Sequence, residues 1–133
     1  MHITQETDYA VRIVYCLAHS QGRKDARTIS EQTGVTLRFS LKILHKLVQD
    51  GMVKSYKGSK GGYEIARPAS EINMKQVIEA IEGRYALAKC IDPEYICEWK
   101  ESRAPGICSF RREFDRISQF VNQELEKVTF EKL

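Results

Sequence analysis

Proline is scarce in this 133-residue chain, three in all, and tryptophan occurs once. No stretch is enriched in glycine, serine or proline, and no low-complexity tract or internal repeat is visible, so nothing marks a flexible linker between separate bodies. Long apolar runs are absent too. Charged residues fall before and within the apolar positions of residues 1–20, which excludes a signal-peptide or membrane-helix reading of that stretch; a cytoplasmic location is expected. Also missing are a phosphate loop, a nucleophile elbow and a zinc-hydrolase helix motif, so an enzyme is not expected. What remains is ordinary: 42% hydrophobic and 29% charged residues, the balance of a globular domain with one core and an appended element.

Charge is unevenly distributed. Residues 1–70 hold 11 basic against 6 acidic side chains, and residues 71–133 hold 10 against 12, so the formal net charge of +3 belongs to the first half. That half also carries the clearest periodicity. Tyr9, Ala10, Ile13, Val14, Leu17 and Ala18 recur at helical spacing and predict a helix over about 5–20. A short helix fits 28–33, with Ile29 inward and Gly34 supplying a turn. Thr36 caps a third helix over 37–50, which ends at Gly51 and sets Phe39, Ile43, Leu44, Leu47 and Val48 on one side. Arg38, Leu41, Lys42 and His45 fall on the other.

Two strand-like segments follow, 53–57 and 63–66, joined by Gly58-Ser59-Lys60-Gly61-Gly62 as a hairpin. Asn73 caps a fourth helix over 74–82, and Gly83 ends it. Residues 84–108 lack sustained period and read as a loop, long enough to need ordering by something else. From 109 to 128, Phe110, Phe114, Ile117, Val121, Leu125 and Val128 form one continuous stripe on a long helix that needs a partner. The fold class is therefore mainly α with a small β-hairpin. Its divisions are 1–83 as a winged helix-turn-helix with the following helix, 84–108 as a cysteine-bearing loop, and 109–133 as a dimerisation helix.

A helix-turn-helix places its second helix in the major groove of double-stranded DNA. Here that helix offers Arg38 for a guanine edge, with Thr36 and Lys42 for phosphates. The hairpin tip, with Lys57, Ser59 and Lys60 among small glycines, is suited to close approach to the backbone. His45 is set aside as an exposed residue without a role.

Four cysteines in a chain of this type argue for thiols kept reduced rather than a disulfide framework. Cys90, Cys97 and Cys108 lie in the predicted loop with six and ten residues between them. Three thiols in one loop suit an iron–sulfur cluster, while adventitious zinc or plain oxidisable thiols are the rival readings. Cys16, on the first helix near Ile13 and Leu17, is expected to be a small core residue. Asp8 has the place of a carboxylate that complements a helix start.

The stretches Thr4-Gln5-Glu6-Thr7-Asp8-Tyr9-Ala10, Ile29-Ser30-Glu31 and Gly58-Ser59-Lys60-Gly61-Gly62-Tyr63 resemble the Rrf2 family of winged-helix transcription regulators. The resemblance implies a homodimer joined through the long C-terminal helix and reading a pseudo-palindromic operator. It also implies a cluster, 2Fe–2S first and 4Fe–4S as the alternative, held by Cys90, Cys97 and Cys108. Some members use a histidine three residues after the last cysteine as fourth ligand; here that position is Arg111. By resemblance to the nitric-oxide-sensing members, Asp8 of the second subunit takes that role instead. The expected function is a regulator, a repressor first, sensing redox, nitric oxide or cluster status. The alternative is a cluster-free regulator controlled by a protein partner or small effector. Leu41 departs from the polar or charged residue common at its position, so no operator is carried over.

Overall fold

The computed structural model of the chain describes residues 2–99 and 108–133. Thr4, in extended conformation, opens α1 (Gln5–Ala18) by accepting the Thr7 amide, and His19 closes it. This helix buries Thr7, Ala10, Ile13, Val14 and Leu17, the spacing of a core-facing stripe. Next, α2 (Ala26–Thr33) starts two residues before its apolar pattern does, because Asp25 caps it through the Thr28 amide at 2.8 Å. Gly34, at φ 70°, ends it in the left-handed conformation. Thr36 caps α3 (Leu37–Asp50) and Gly51 terminates it, both as the sequence predicts.

Phe39 does not follow its predicted direction. It is 45% exposed, on the shoulder of α3 toward α1, where its ring meets the edge of Tyr9 at 5.9 Å. The buried face of the helix is Ser40, Ile43, Leu44 and Leu47. Ser40 is buried without penalty because its hydroxyl donates to the Val35 carbonyl at 3.3 Å.

β1 (Val53–Tyr56) and β2 (Gly62–Ile65) pair antiparallel, with Val53 opposite Ile65 and Tyr56 opposite Gly62. The segment between α1 and α2 joins this hairpin: Lys24 and Tyr63 exchange both backbone hydrogen bonds, at 3.0 and 2.7 Å. Two glycines make the arrangement possible. A Cβ on Gly62 would stand 2.6 Å from the Lys24 carbonyl oxygen, and one on Gly61 2.3 Å from that of Tyr56.

A reciprocal capping box between Asn73 and Gln76 starts α4 (Met74–Glu82). Residues 84–99 are irregular apart from a short 3₁₀ turn at Lys89–Ile91, as the loop reading expects. Residues 100–107 of that loop, Pro105 and Gly106 among them, lie outside the described residues. Cys108 then caps α5 (Ser109–Lys127).

The expected single stripe on α5 is split. Phe110, Phe114 and Ile117 are exposed, joined by Phe120 at 61%, whereas Val121, Leu125 and Val128 are half-buried. Val121 and Leu125 line a small cavity of about 190 Å³ with Ile3, Ile78 and Tyr85. The chain then folds back: Met74 donates to the Val128 carbonyl at 2.8 Å, Phe130 donates to that of Ile72 at 3.0 Å, and the Phe130 ring is fully buried. One core thus joins α1, α2, α3, α4, the base of the hairpin and the C-terminal segment. Among the described residues no helix is long and apolar enough to cross a membrane.

Candidate nucleic-acid interface and cysteine segment

With Ser40, Ile43, Leu44 and Leu47 buried, α3 turns its outer surface, which holds the predicted contact residues, to solvent. Arg38, in the first turn, is exposed, and its side chain makes no hydrogen bond or ion pair among the described residues. Thr36 is exposed as well, its hydroxyl oxygen accepting the Phe39 amide at 3.3 Å. His45 is exposed on the same helix.

Lys42 is exposed but not unengaged. Its ammonium lies 3.5 Å from the Glu6 carboxylate on α1, and Lys46 of the next turn reaches the same oxygen at 2.7 Å. Hydrogen bonding from Lys46 in the first place, with the charges of Lys46 and Lys42, holds the Glu6 carboxyl below the usual glutamate value. The first helix thus braces the third through one acid and two bases.

On the hairpin, Lys57, Ser59 and Lys60 are all exposed at the tip. The tip is tied back to the body. The Arg23 guanidinium lies 3.3 Å from the Tyr56 ring centroid and donates to the Lys60 carbonyl at 3.5 Å. A glutamate beside Tyr56, Glu64, raises the phenol pKa by hydrogen bonding.

The cysteine segment is a different kind of place. Cys90, on the 3₁₀ turn, Cys97 and Cys108 are all half-buried thiols. Cys108 accepts the Arg111 amide at 3.5 Å, and Trp99 stacks at a tilt on Phe110 with centroids 5.5 Å apart. Yet among the described residues no three His, Cys, Asp or Glu side chains are grouped closely enough to hold a metal ion. Asp8 is exposed, in the first turn of α1, where it pairs with Arg12 at 2.7 Å. The donor chemistry, three thiols in one segment, fits an iron–sulfur cluster; the positions in a single chain do not gather it.

Cys16 departs from its expected core role. It is half-buried, its thiol donates to Gln32 Oε1 at 3.3 Å, and Lys24 Nζ stands 3.6 Å from the sulfur. It lines an open cavity of about 760 Å³ with Val11, Tyr15, Met74, Phe130 and Leu133.

Sequence reasoning also missed the anchor between the ends of this half. Glu82, the last residue of α4, accepts the Thr4 amide at 2.9 Å and the Thr7 hydroxyl at 2.8 Å. Those hydrogen bonds, from Thr4 first, lower its pKa. The only signal available was an acid just before a terminating glycine, which by itself says nothing about a partner 78 residues away.

A family model described as an iron-dependent transcriptional regulator, Rrf2, matches residues 3–133. Protein aau3 of Rhizobium meliloti is 37% identical over 93 residues, 69% of this chain and 60% of that protein. The HTH-type transcriptional regulator NsrR of Oceanobacillus iheyensis is 31% identical over 94 residues, 69% of this chain and 64% of that one. The matched part is thus about 60% of the length of these relatives. The structure of CymR, the global cysteine regulator of B. subtilis, superposes with a TM-score of 0.76 at 24% identity, covering 98% of this chain and 94% of that one. It shares the winged-helix fold. Family and relatives are named as regulators of transcription, not as enzymes. With the family match running over nearly all of its residues, the chain belongs to the Rrf2 family of transcriptional regulators.

Proposed function

We propose that this chain works as a homodimeric DNA-binding transcription regulator, α3 entering the major groove of a pseudo-palindromic operator and the hairpin following the adjacent backbone as a wing. The observation that carries this is the joint exposure of Arg38 on α3 and of Lys57, Ser59 and Lys60 at the tip, on a half of the chain with surplus positive charge. Arg38 forks onto a guanine, Thr36 and Lys42 take phosphates, and the tip residues grip the backbone. Lys42 exchanges Glu6 for phosphate as it does so. The exposed α5 residues Phe110, Phe114, Ile117 and Phe120 support the dimer: that much apolar surface on one helix needs cover.

Binding of labelled duplex as a function of salt tests this. Lys60→Ala is expected to weaken binding to all sequences and to lower the salt slope by about one, while Arg38→Ala costs about 1–3 kcal/mol and relaxes base preference. Binding indifferent to both substitutions at every salt concentration contradicts the proposal.

We further propose that the 84–108 segment senses redox, nitric oxide or cluster status, with Cys90, Cys97 and Cys108 as ligands and Asp8 of the second subunit as the fourth. An iron–sulfur cluster, when bound, supplies a redox-reactive centre whose thiolate ligands must be deprotonated. Asp8 gives up only an exposed pair with Arg12, which costs little. Gly83 connects the segment directly to Glu82, and Glu82 holds the first turn of α1, so ordering of the thiols bears on the helix that braces Lys42 and Lys46. Protein purified without oxygen and reconstituted with iron and sulfide is expected to absorb in the visible, and Cys97→Ala to abolish the bands. Colourless protein with stoichiometric zinc contradicts it.

The separation of the three thiols favours a second reading, a cluster-free regulator controlled by a protein partner or small effector. It predicts DNA binding insensitive to Cys97→Ala.

A further inference from the structure

The outward surface of α3 is not uniformly polar. Leu41 is 44% exposed and Leu37, one turn earlier on the same stripe, 39%. The opposite shoulder carries Phe39 against Tyr9 and the two lysines held by Glu6. Arg38 falls between the shoulders. Scattered surface leucines need no explanation, but these occupy the first turn and a half of the helix, the part of a recognition helix that meets base edges.

The cover for this apolar stripe has to be compatible with its surroundings, which are cationic: Arg38 and Lys42 on the helix, Lys57 and Lys60 on the wing. An apolar protein surface would strand those charges, whereas a duplex neutralises them. In the major groove the bases present a single apolar group, the C5-methyl of thymine. A leucine has no donor or acceptor, so opposite a cytosine amine or a guanine oxygen it would leave a base group without its water and without a replacement.

We infer that Leu41, with Leu37 beside it, reads the C5-methyl group of a thymine in each operator half-site, next to the base contacted by Arg38. The inference rests on the DNA-binding reading above and adds a base to it. Because the contact is apolar, the thymine preference persists at salt concentrations that erase the phosphate contacts of the lysines.

Duplexes that the full chain itself selects from a random pool serve as the probe. The selected half-sites are expected to hold thymine at one fixed position, and replacing that thymine by uracil removes the methyl group alone. Wild-type binding should then weaken about fourfold per half-site, and about fifteenfold when both are changed. The double variant L37A/L41A should bind the thymine and uracil duplexes equally. Alanine at exposed helical positions favours the helix, and a thermal melt verifies folding.

Equal wild-type binding to both duplexes, or an undiminished preference in L37A/L41A, overturns the inference and leaves DNA binding intact. A change in the sedimentation of DNA-free protein on making L37A/L41A assigns the leucines to a protein contact and overturns it as well. Failure to select any duplex overturns the DNA-binding reading, and the inference with it.

Discussion

The first 83 residues and those after them solve the problem of a small protein in opposite ways. From α1 to α4 each helix has a side-chain cap, one apolar face and a partner for that face, and residues such as Ile13, Ile43, Leu44 and Leu47 are fully buried. Beyond Gly83 the helix α5 docks through Ser118, Val121 and Leu125, and leaves Phe110, Phe114, Ile117 and Phe120 exposed along its length. Three thiols nearby are equally incomplete, close in sequence but not gathered. A surface complete within one chain carries fold; the one left unfinished is the surface on which the proposed dimer and ligand rest.

The largest test of this contrast is a pair of truncations. Leu44→Ala is expected to cost about 2–5 kcal/mol of stability in urea unfolding, the range for a deleted core leucine. Phe114→Ala, on the unfinished face, should leave the unfolding of the single chain nearly unchanged and shift the oligomer in sedimentation. Equal loss of stability in both would abolish the distinction.

A second substitution sharpens the finished half. Gly62→Ala forces a Cβ against the Lys24 carbonyl, and is expected to cost about 1–3 kcal/mol by parting the wing from the α1–α2 connector. Exchange of the Tyr63 amide, which donates across that bridge, is the direct measurement; unchanged protection refutes it.

The smallest expected effect is a pH dependence. The folded-state pKa of Glu6 is depressed by Lys46 and Lys42 below the ordinary 4.5, so its contribution is complete above that value and disappears as pH falls through the depressed one. Glu6→Gln should therefore flatten the acid limb of the stability profile while changing stability at neutral pH by less than about 1 kcal/mol. A limb as steep as that of the wild type removes Glu6 as a contributor.

Legibility in the sequence followed the range of the interaction. Thr36, Gly51, Asn73 and Gly83 end their helices as read, because a cap acts within three or four residues. Asp25 obeys the same chemistry, but it precedes Ala26 and Arg27, which carry no apolar period, and so the start of α2 was not visible. Phe39 fits the periodic pattern yet lies at its edge, where a ring from another helix decides its direction. Nothing local announces that Glu6 meets Lys46 across 40 residues, or that Lys24 pairs with Tyr63. The exposed tip residues and Arg38 were legible as candidates; the state of the thiols depends on neighbours that spacing does not encode.

If α3 binds DNA as proposed, the pairing of Glu6 with Lys42 and Lys46 is a resident stand-in for phosphate. An encounter with a random stretch of DNA would then have to displace that carboxylate before Lys42 could take a phosphate, so brief contacts would gain less than the number of lysines suggests. Weak holding on the wrong sequence shortens each dwell, and a searching molecule moves on sooner. In that reading, the acid that steadies the folded chain would also set how fast it finds its site.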